Sequence, residues 1–89
     1  MWIRSQDRKI LTEIHDVEID SANQIWGSGS LIGEYSTEKK AMKVMDMIED
    51  RIRLSEMFKL HIYEPLNRND QFVFQLPKDD DVEVWFQKR

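Results

Sequence analysis

The first stretch that could do chemistry is Gly27-Ser28-Gly29-Ser30-Leu31-Ile32-Gly33. Glycine-rich loops hold phosphates when their backbone amides converge with a helix N-terminus. No Gly-Lys-Ser/Thr follows, and residues 31–35 separate these glycines from the only long helical pattern. Ser28 also lacks the Gly-x-Ser-x-Gly arrangement of a nucleophile elbow. The stretch therefore predicts a turn between two strands.

Acidic residues and histidines are the candidate metal ligands and bases. Asp79-Asp80-Asp81 offers carboxylates, but it lacks the alternating pattern and central glycine of a calcium loop. A solvated loop beside a strand is the favoured interpretation. His15 and His61 are the only histidines, with Asp16 and Glu64 near them in sequence. A zinc or general-base site would have to assemble around either of them across the fold. The sequence predicts no metal, no cofactor and no enzymatic activity.

Basic residues near the N-terminus are candidates for nucleic-acid binding. Arg4, Arg8 and Lys9 form a local patch, and Trp2 or Trp26 could stack on unpaired bases. The net charge of −4 and the pI of about 5.1 disfavour nonspecific attraction to polyanions. A nucleic-acid-associated regulator is therefore the alternative hypothesis, and nucleic acid is not the expected partner.

Composition limits the architecture that must position these residues. The chain has 89 residues, no cysteine, 40% hydrophobic and 34% charged residues, which is typical of one globular domain spanning 1–89. The N-terminal segment is charged by Arg4, and no run approaches the roughly 20 apolar residues that span a bilayer. We expect a soluble, cytoplasmic protein without a membrane partner.

Short alternating segments predict strands. Four or five short strands are predicted before the helical pattern, from the segments 3–5, 10–14, 17–20, 25–26 and 31–35. A further strand is predicted at 71–76, where Pro77 ends it, and a last one or a tail at 82–86. Residues 58–63 also alternate, which favours a strand over a continuation of the helix.

One long amphipathic helix follows Ser36-Thr37, whose hydroxyls suit an N-cap. Its apolar positions recur at helical spacing and predict the core-facing stripe Ala41, Val44, Met45, Ile48 and Ile52. We expect the helix to run from about Thr37 to Leu54, with an extension to Tyr63 as the alternative. The resulting fold class is α+β: an antiparallel sheet of about five to six short strands, mostly before one helix that packs on one face.

A second apolar stripe on this helix points to a partner. Met47 and Leu54, joined by Phe58 if the helix reaches it, lie beside the core stripe. Trp2, Trp85 and Phe86 lie near the chain ends, where a monomer rarely covers large aromatic side chains. These six residues form the predicted interface of a homo-oligomer, with a dimer as the first expectation.

Three segments carry a resemblance to a known family. They are Ile3-Arg4-Ser5-Gln6-Asp7, Leu31-Ile32-Gly33-Glu34-Tyr35-Ser36-Thr37-Glu38-Lys39-Lys40-Ala41 and Val73-Phe74-Gln75-Leu76-Pro77-Lys78-Asp79-Asp80. The chain resembles a family of small uncharacterised proteins of Gram-positive bacteria and their prophages. The family has no assigned activity, so the resemblance implies a cytoplasmic, phage-related origin and transfers no site residue. From the residues themselves we expect a non-enzymatic protein-interaction or structural module.

Overall fold

The computed structural model describes residues 1–61 and 73–83, with side chains up to Glu56 in the first range. In chain order, the elements are β1 (Trp2–Arg4), β2 (Leu11–Glu13), β3 (Val17–Ile19), β4 (Gln24–Gly27), β5 (Ser30–Glu34), α1 (Glu38–His61), β6 (Val73–Gln75) and a 3₁₀ turn (Asp79–Asp81). The predicted α+β class is confirmed, with most strands before the helix. No helix among these residues is long and apolar enough to cross a membrane.

The strands form two sheets of three. Sheet A has the order β2-β1-β6, and sheet B has the order β3-β4-β5. Neighbours are antiparallel except β1 and β6, which run parallel. The architecture thus differs from the expected single antiparallel sheet. Parallel neighbours need a long crossover, and the chain between β1 and β6 includes sheet B and α1.

The glycine-containing stretch is a hairpin turn, as predicted. Gly27 pairs with Ser30 across β4 and β5, and Ser28 and Gly29 connect them with φ of 48° and 86°. Two consecutive positive φ angles are the signature of a type I′ turn, whose twist matches that of antiparallel strands. Gly33 lies instead in buried β5, where an added Cβ would approach the Tyr35 ring to 2.9 Å. These glycines are explained by the fold.

Helix α1 begins as expected and ends later than expected. The Thr37 hydroxyl accepts a hydrogen bond from the Lys40 amide at 3.1 Å, which caps the first turn. The helix continues to His61, so the strand prediction is wrong over 58–61, and the longer alternative was closer. No helix breaker interrupts this stretch, and Arg53 pairs with Glu49 and Asp50, each at 3.1 Å. The predicted segment 62–63 lies outside the described residues.

The core lies between α1 and both sheets. Its buried side chains outside the helix include Ile3, Ile14, Ile25, Ile32, Phe74, Leu76 and Val82. The helix contributes Ala41, Val44 and Ile48, which confirms the centre of the predicted stripe. Met45 is half-buried, whereas Ile52 is 41% exposed, so the prediction that Ile52 belongs to the core is wrong. Ile52 continues the helical spacing of the buried positions, but it lies past the end of the buried core.

Gln6 joins the two sheets. Its backbone N–H donates to the Ile32 carbonyl at 2.8 Å. Its side-chain amide donates to the Glu34 carbonyl and accepts from the Glu34 N–H, both at 2.9 Å. Gln6, the second residue after β1, therefore occupies the outer edge of β5 as a neighbouring strand would.

Asp79 fastens the C-terminal segment to the start of α1. Its carboxylate accepts from the Ser36 backbone N–H at 2.8 Å and from the Ser36 hydroxyl at 3.1 Å. Lys40 Nζ lies 3.0 Å from the Asp79 carbonyl oxygen and 3.5 Å from its carboxylate. The hydrogen bonds from Ser36, followed by the charge of Lys40, lower the pKa of Asp79 below its usual value. Nearby, the Tyr35 hydroxyl donates to the Pro77 carbonyl at 2.7 Å.

Replacing Gln6 tests the junction between the sheets. In Gln6→Glu the new carboxylate keeps the acceptor for the Glu34 N–H but loses the donor to the Glu34 carbonyl and repels it. We expect a loss of about 1–3 kcal/mol in the free energy of unfolding at pH 7, measured by urea titration. The repulsion raises the folded-state pKa of the new carboxyl, so the loss should shrink as the pH falls and that group becomes protonated. A loss that does not change with pH would contradict this account.

Asp79→Asn tests the clamp on the helix start. Because the folded-state pKa of Asp79 is lowered, the ionised carboxylate stabilises the fold above the unfolded-state pKa of about 3.9. That stabilisation disappears as the pH falls through the folded-state value. The variant should therefore have a lower urea midpoint than the wild type near neutral pH, and the difference should vanish in strong acid. Asp80→Asn is the control, since Asp80 is exposed and should show little difference at either pH.

Candidate interaction surface

The six residues of the predicted interface have different environments. Trp2 is 43% exposed on β1, and Leu54 is 47% exposed on α1. Met47 is half-buried and packs against the core, so it is not a free contact residue. Phe58 lies in α1 with its side chain outside the described residues, and Trp85 and Phe86 lie outside them altogether.

Trp2 and Leu54 do not share a surface. Along β1 the buried Ile3 alternates with Trp2, and Phe74 is the buried neighbour of Ile3 on β6. The Arg51 guanidinium lies 5.0 Å from the centre of the Phe74 ring, which places α1 on the Ile3 side of sheet A. Trp2 points to the opposite side, because successive side chains of a strand alternate between faces. We call that side the outer face of sheet A.

The outer face carries a row of exposed apolar side chains. Strand register places Trp2 between Glu13 and Val73, and the next row contains Leu11, Arg4 and Gln75. Leu11 is 52% exposed and Val73 is 38% exposed. Sequence reasoning missed both, because a short strand with adjacent apolar residues does not reveal which of them points inward. The alternation of Ile10, Thr12 and Ile14 against Leu11 and Glu13 was the available signal.

Two unlike charges accompany these apolar side chains. Arg4 is half-buried and Glu13 is exposed. They occupy neighbouring rows of the outer face, and neither forms a side-chain hydrogen bond or ion pair within the part of the chain that the structure describes. An exposed apolar patch bordered by charges of both signs is the usual composition of a protein-binding surface.

The predicted basic patch lies on one hairpin. Arg4 belongs to β1, and Arg8 and Lys9 belong to the turn that leads to β2. Asp7 lies between them; its carboxylate accepts from the Ser5 hydroxyl at 2.6 Å and from the Lys9 N–H at 3.0 Å. The bond from Ser5 is the main reason that the pKa of Asp7 is lowered, so this group stays ionised among the cations. The turn therefore contains a fixed negative charge that opposes a polyanion.

A groove of about 260 Å³ opens between α1 and the connection from β2 to β3. It is lined by Ile14, His15, Asp16, Val17, Met45, Ile48, Glu49 and Ile52. Small-molecule pockets usually measure about 300–1,000 Å³, so this groove is below the usual size for a cofactor. Its ionisable residues, His15, Asp16 and Glu49, are all exposed.

No metal centre is visible among residues 1–61 and 73–83. No group of three or more His, Asp or Glu residues in these ranges is placed to hold an ion. Asp79 is engaged by Ser36 and Lys40, while Asp80 and Asp81 are exposed. His61 is the last described residue of α1, and its side chain lies outside the description. The predicted solvated loop at 79–81 is thus a short 3₁₀ turn whose first residue supports the fold.

Comparisons with protein-family models, curated proteins and solved structures find no match for this chain. Residues 3–7, 31–41 and 73–80 form three segments that meet in space. The first contacts the second through Gln6 and Glu34, and the second contacts the third through Ser36 and Asp79. The third contacts the first through the Leu76 N–H, which donates to the Arg4 carbonyl at 3.1 Å.

A pair of isoleucines tests where the core ends along α1. Ile48 is 1% exposed, and Ile52, one turn later in the wall of the groove, is 41% exposed. Ile48→Ala should lower the free energy of unfolding by about 2–5 kcal/mol, because it leaves a cavity. Ile52→Ala should lower it by less than about 1 kcal/mol. Urea titration followed by circular dichroism measures both, and equal losses would show that Ile52 is buried in solution.

Proposed function

We propose that this chain is a non-enzymatic interaction protein that self-associates, with the outer face of sheet A as its contact surface. The observation that carries the proposal is the adjacency of three exposed apolar side chains, Trp2, Leu11 and Val73, on three neighbouring strands. A tryptophan in such a patch is the residue type that most often dominates binding energy. A homodimer is the simplest assembly of this kind.

The surrounding residues support a protein partner. Arg4, Glu13 and Gln75 border the apolar side chains, so a partner would meet an apolar centre with a polar margin. Exposed apolar patches of this kind favour proteins over nucleic acids, whose recognition begins with phosphate charges. The net charge of −4 also favours a protein partner over a nucleic acid. The resemblance described above adds a cytoplasmic, phage-related setting to this proposal.

Nucleic-acid binding is the second candidate, and one observation favours it. Arg4 lies on the same face as exposed Trp2, at the base of the hairpin that carries Arg8 and Lys9. This arrangement offers a stacking platform beside cations. Retention on immobilised single-stranded DNA that decreases steeply with salt, and that Arg8→Ser/Lys9→Ser abolishes, would support this function over self-association.

Two double variants with similarly exposed apolar side chains test the self-association surface. Trp2→Ser/Leu11→Ser removes residues that are 43% and 52% exposed on the outer face of sheet A. Met42→Ser/Leu54→Ser removes residues that are 48% and 47% exposed on α1. Light scattering after size-exclusion chromatography, over a hundredfold range of concentration, measures the mass of each protein. We expect the measured mass of the wild type and of the helix variant to rise to at least twice the 10.7 kDa of one chain as the concentration increases.

The sheet variant should dissociate at a concentration at least about tenfold higher, which corresponds to a loss of roughly 1.4 kcal/mol. Circular dichroism confirms that each variant is folded. A wild type that remains at 10.7 kDa throughout would overturn self-association. Dissociation of the helix variant alone would move the contact surface to α1 and return Leu54 to the interface.

A further inference from the structure

The strand edges within residues 1–34 differ in their readiness to accept another strand. The outer edge of β5 is occupied by Gln6, which binds the Ile32 carbonyl and both backbone polar groups of Glu34. The edge strand β3 lies between Asp16 and Asp20 and contains Glu18, so two copies of β3 would bring many like charges together. The edge strand β2 contains one acidic residue, Glu13, and the apolar Leu11. Of these edges, β2 is the one suited to a second copy.

The hydrogen bonds of the β1–β2 hairpin show which groups of β2 point outward. The Ser5 N–H donates to the Ile10 carbonyl at 2.8 Å, and the Ile14 N–H donates to the Met1 carbonyl at 2.9 Å. In an antiparallel pair, hydrogen-bonded and non-hydrogen-bonded residue pairs alternate. Thr12 therefore directs its backbone groups to Ile3, its partner on β1. The N–H and C=O groups of Leu11 and Glu13 point away from β1, along an edge that no strand within residues 1–61 and 73–83 occupies.

We propose that β2 pairs antiparallel with β2 of a second copy, about a twofold axis at Thr12, so that the two copies of sheet A form one continuous sheet of six strands. The inference rests on the self-association proposed above and adds an edge contact to it. Leu11 enters the contact between the two β2 strands, while Trp2 and Val73, on β1 and β6, stay exposed on the outer faces, which lie side by side on one surface of the joined sheet. Leu11 of each copy then faces Glu13 of the other. Each such pair exchanges two hydrogen bonds, which gives four across the interface.

The register follows from which groups are available. If the axis were centred on Leu11, that residue would pair with Leu11 of the second copy. The outward groups of Glu13 would then lie beyond the end of the second β2 strand, and only two hydrogen bonds would form between the strands. Centring the axis on Glu13 would also give two, and it would place two carboxylates directly opposite each other, which is unfavourable. If one β2 strand were shifted by one residue against the other, the outward backbone groups of one strand would face residues whose backbone groups point back to β1. The Thr12 register is the one that uses both outward residues of both strands.

Charge complementarity supports the same register. On the outer face, Arg4 neighbours Leu11 within one copy, and Leu11 would neighbour Glu13 of the other. Arg4 and that glutamate are then two strand spacings apart, about 9–10 Å between backbones. Long side chains can meet above Leu11 at this distance. Each Arg4, which has no ion pair in the described part of the chain, gains an acidic neighbour.

Disulfide trapping tests this geometry, because the natural chain contains no cysteine. Across the proposed axis, the two Thr12 residues form a non-hydrogen-bonded pair with Cα atoms about 4.5 Å apart. That distance lies within the range of roughly 4.4–6.8 Å that disulfides span. Thr12→Cys should therefore yield a covalent dimer under mild oxidation, measured by non-reducing electrophoresis. One control is Leu11→Cys, because the two copies of residue 11 lie diagonally across the axis. The other is Met42→Cys, because Met42 lies on α1 and its side chain is 48% exposed.

We expect Thr12→Cys to cross-link at least about tenfold faster than either control, because strand pairing raises the effective concentration of the two thiols. Equal rates for the three variants, with a dimeric wild type, would overturn the pairing of β2 and leave self-association standing. Faster cross-linking of Leu11→Cys would also overturn the Thr12 register. A monomeric wild type would overturn both proposals.

Hydrogen exchange of the unmodified protein gives an independent measurement. Across the concentration range of association, exchange of the Leu11 and Glu13 amides should slow, since both become bonded to the second copy. The amides of Val17 and Ile19 on the edge strand β3 provide the internal comparison and should not change. Slowing at β3 with none at β2 would refute the proposed edge.

Discussion

The hydrogen bonds of Gln6 hold together a molecule made of two small sheets. Each sheet has three strands, the strands of sheet A contain three residues each, and both sheets contribute buried side chains to one core with α1. Gln6 continues β1 onto the edge of β5, which allows one helix to cover residues of both sheets. Asp79 completes the arrangement by accepting hydrogen bonds from Ser36, two residues before α1 begins. The single core therefore depends on a few polar contacts at its margin.

This arrangement also determines which surfaces remain available. Because α1 covers the inner side of sheet A, Trp2 and Leu11 lie on the side that α1 does not reach. Because Gln6 occupies the edge of β5, the Ile32 carbonyl and both backbone polar groups of Glu34 are already bonded there. Acidic residues surround β3, while β2 has one carboxylate with Arg4 on the neighbouring strand. The same contacts that join the sheets thus make their edges unequal.

The sequence predicted those features that depend on neighbouring residues. The cap at Thr37, the turn at Ser28-Gly29 and the buried positions Ala41, Val44 and Ile48 follow from local hydrogen bonding and helical periodicity. Periodicity shows which way a side chain faces, but it does not show whether another element lies opposite. That is why Ile52 was expected in the core.

Features that depend on distant residues could not be predicted in this way. The junction between the two sheets rests on bonds between Gln6 and residues 26 and 28 positions later in the chain. The parallel pairing of β1 with β6 is of the same kind. The candidate surface was predicted only at Trp2, since the exposure of Leu11 and Val73 follows from the pairing of three separate strands.

The size of the proposed interface has a consequence for its strength. Four backbone hydrogen bonds contribute about 2–6 kcal/mol in total, at roughly 0.5–1.5 kcal/mol each. Association itself costs about 4–15 kcal/mol of translational and rotational freedom. The backbone ladder alone therefore does not hold two copies together, and Leu11 with the Arg4–Glu13 contacts must supply the difference. Such an interface is weak and sensitive to concentration, so the fraction of associated protein would follow its abundance by mass action.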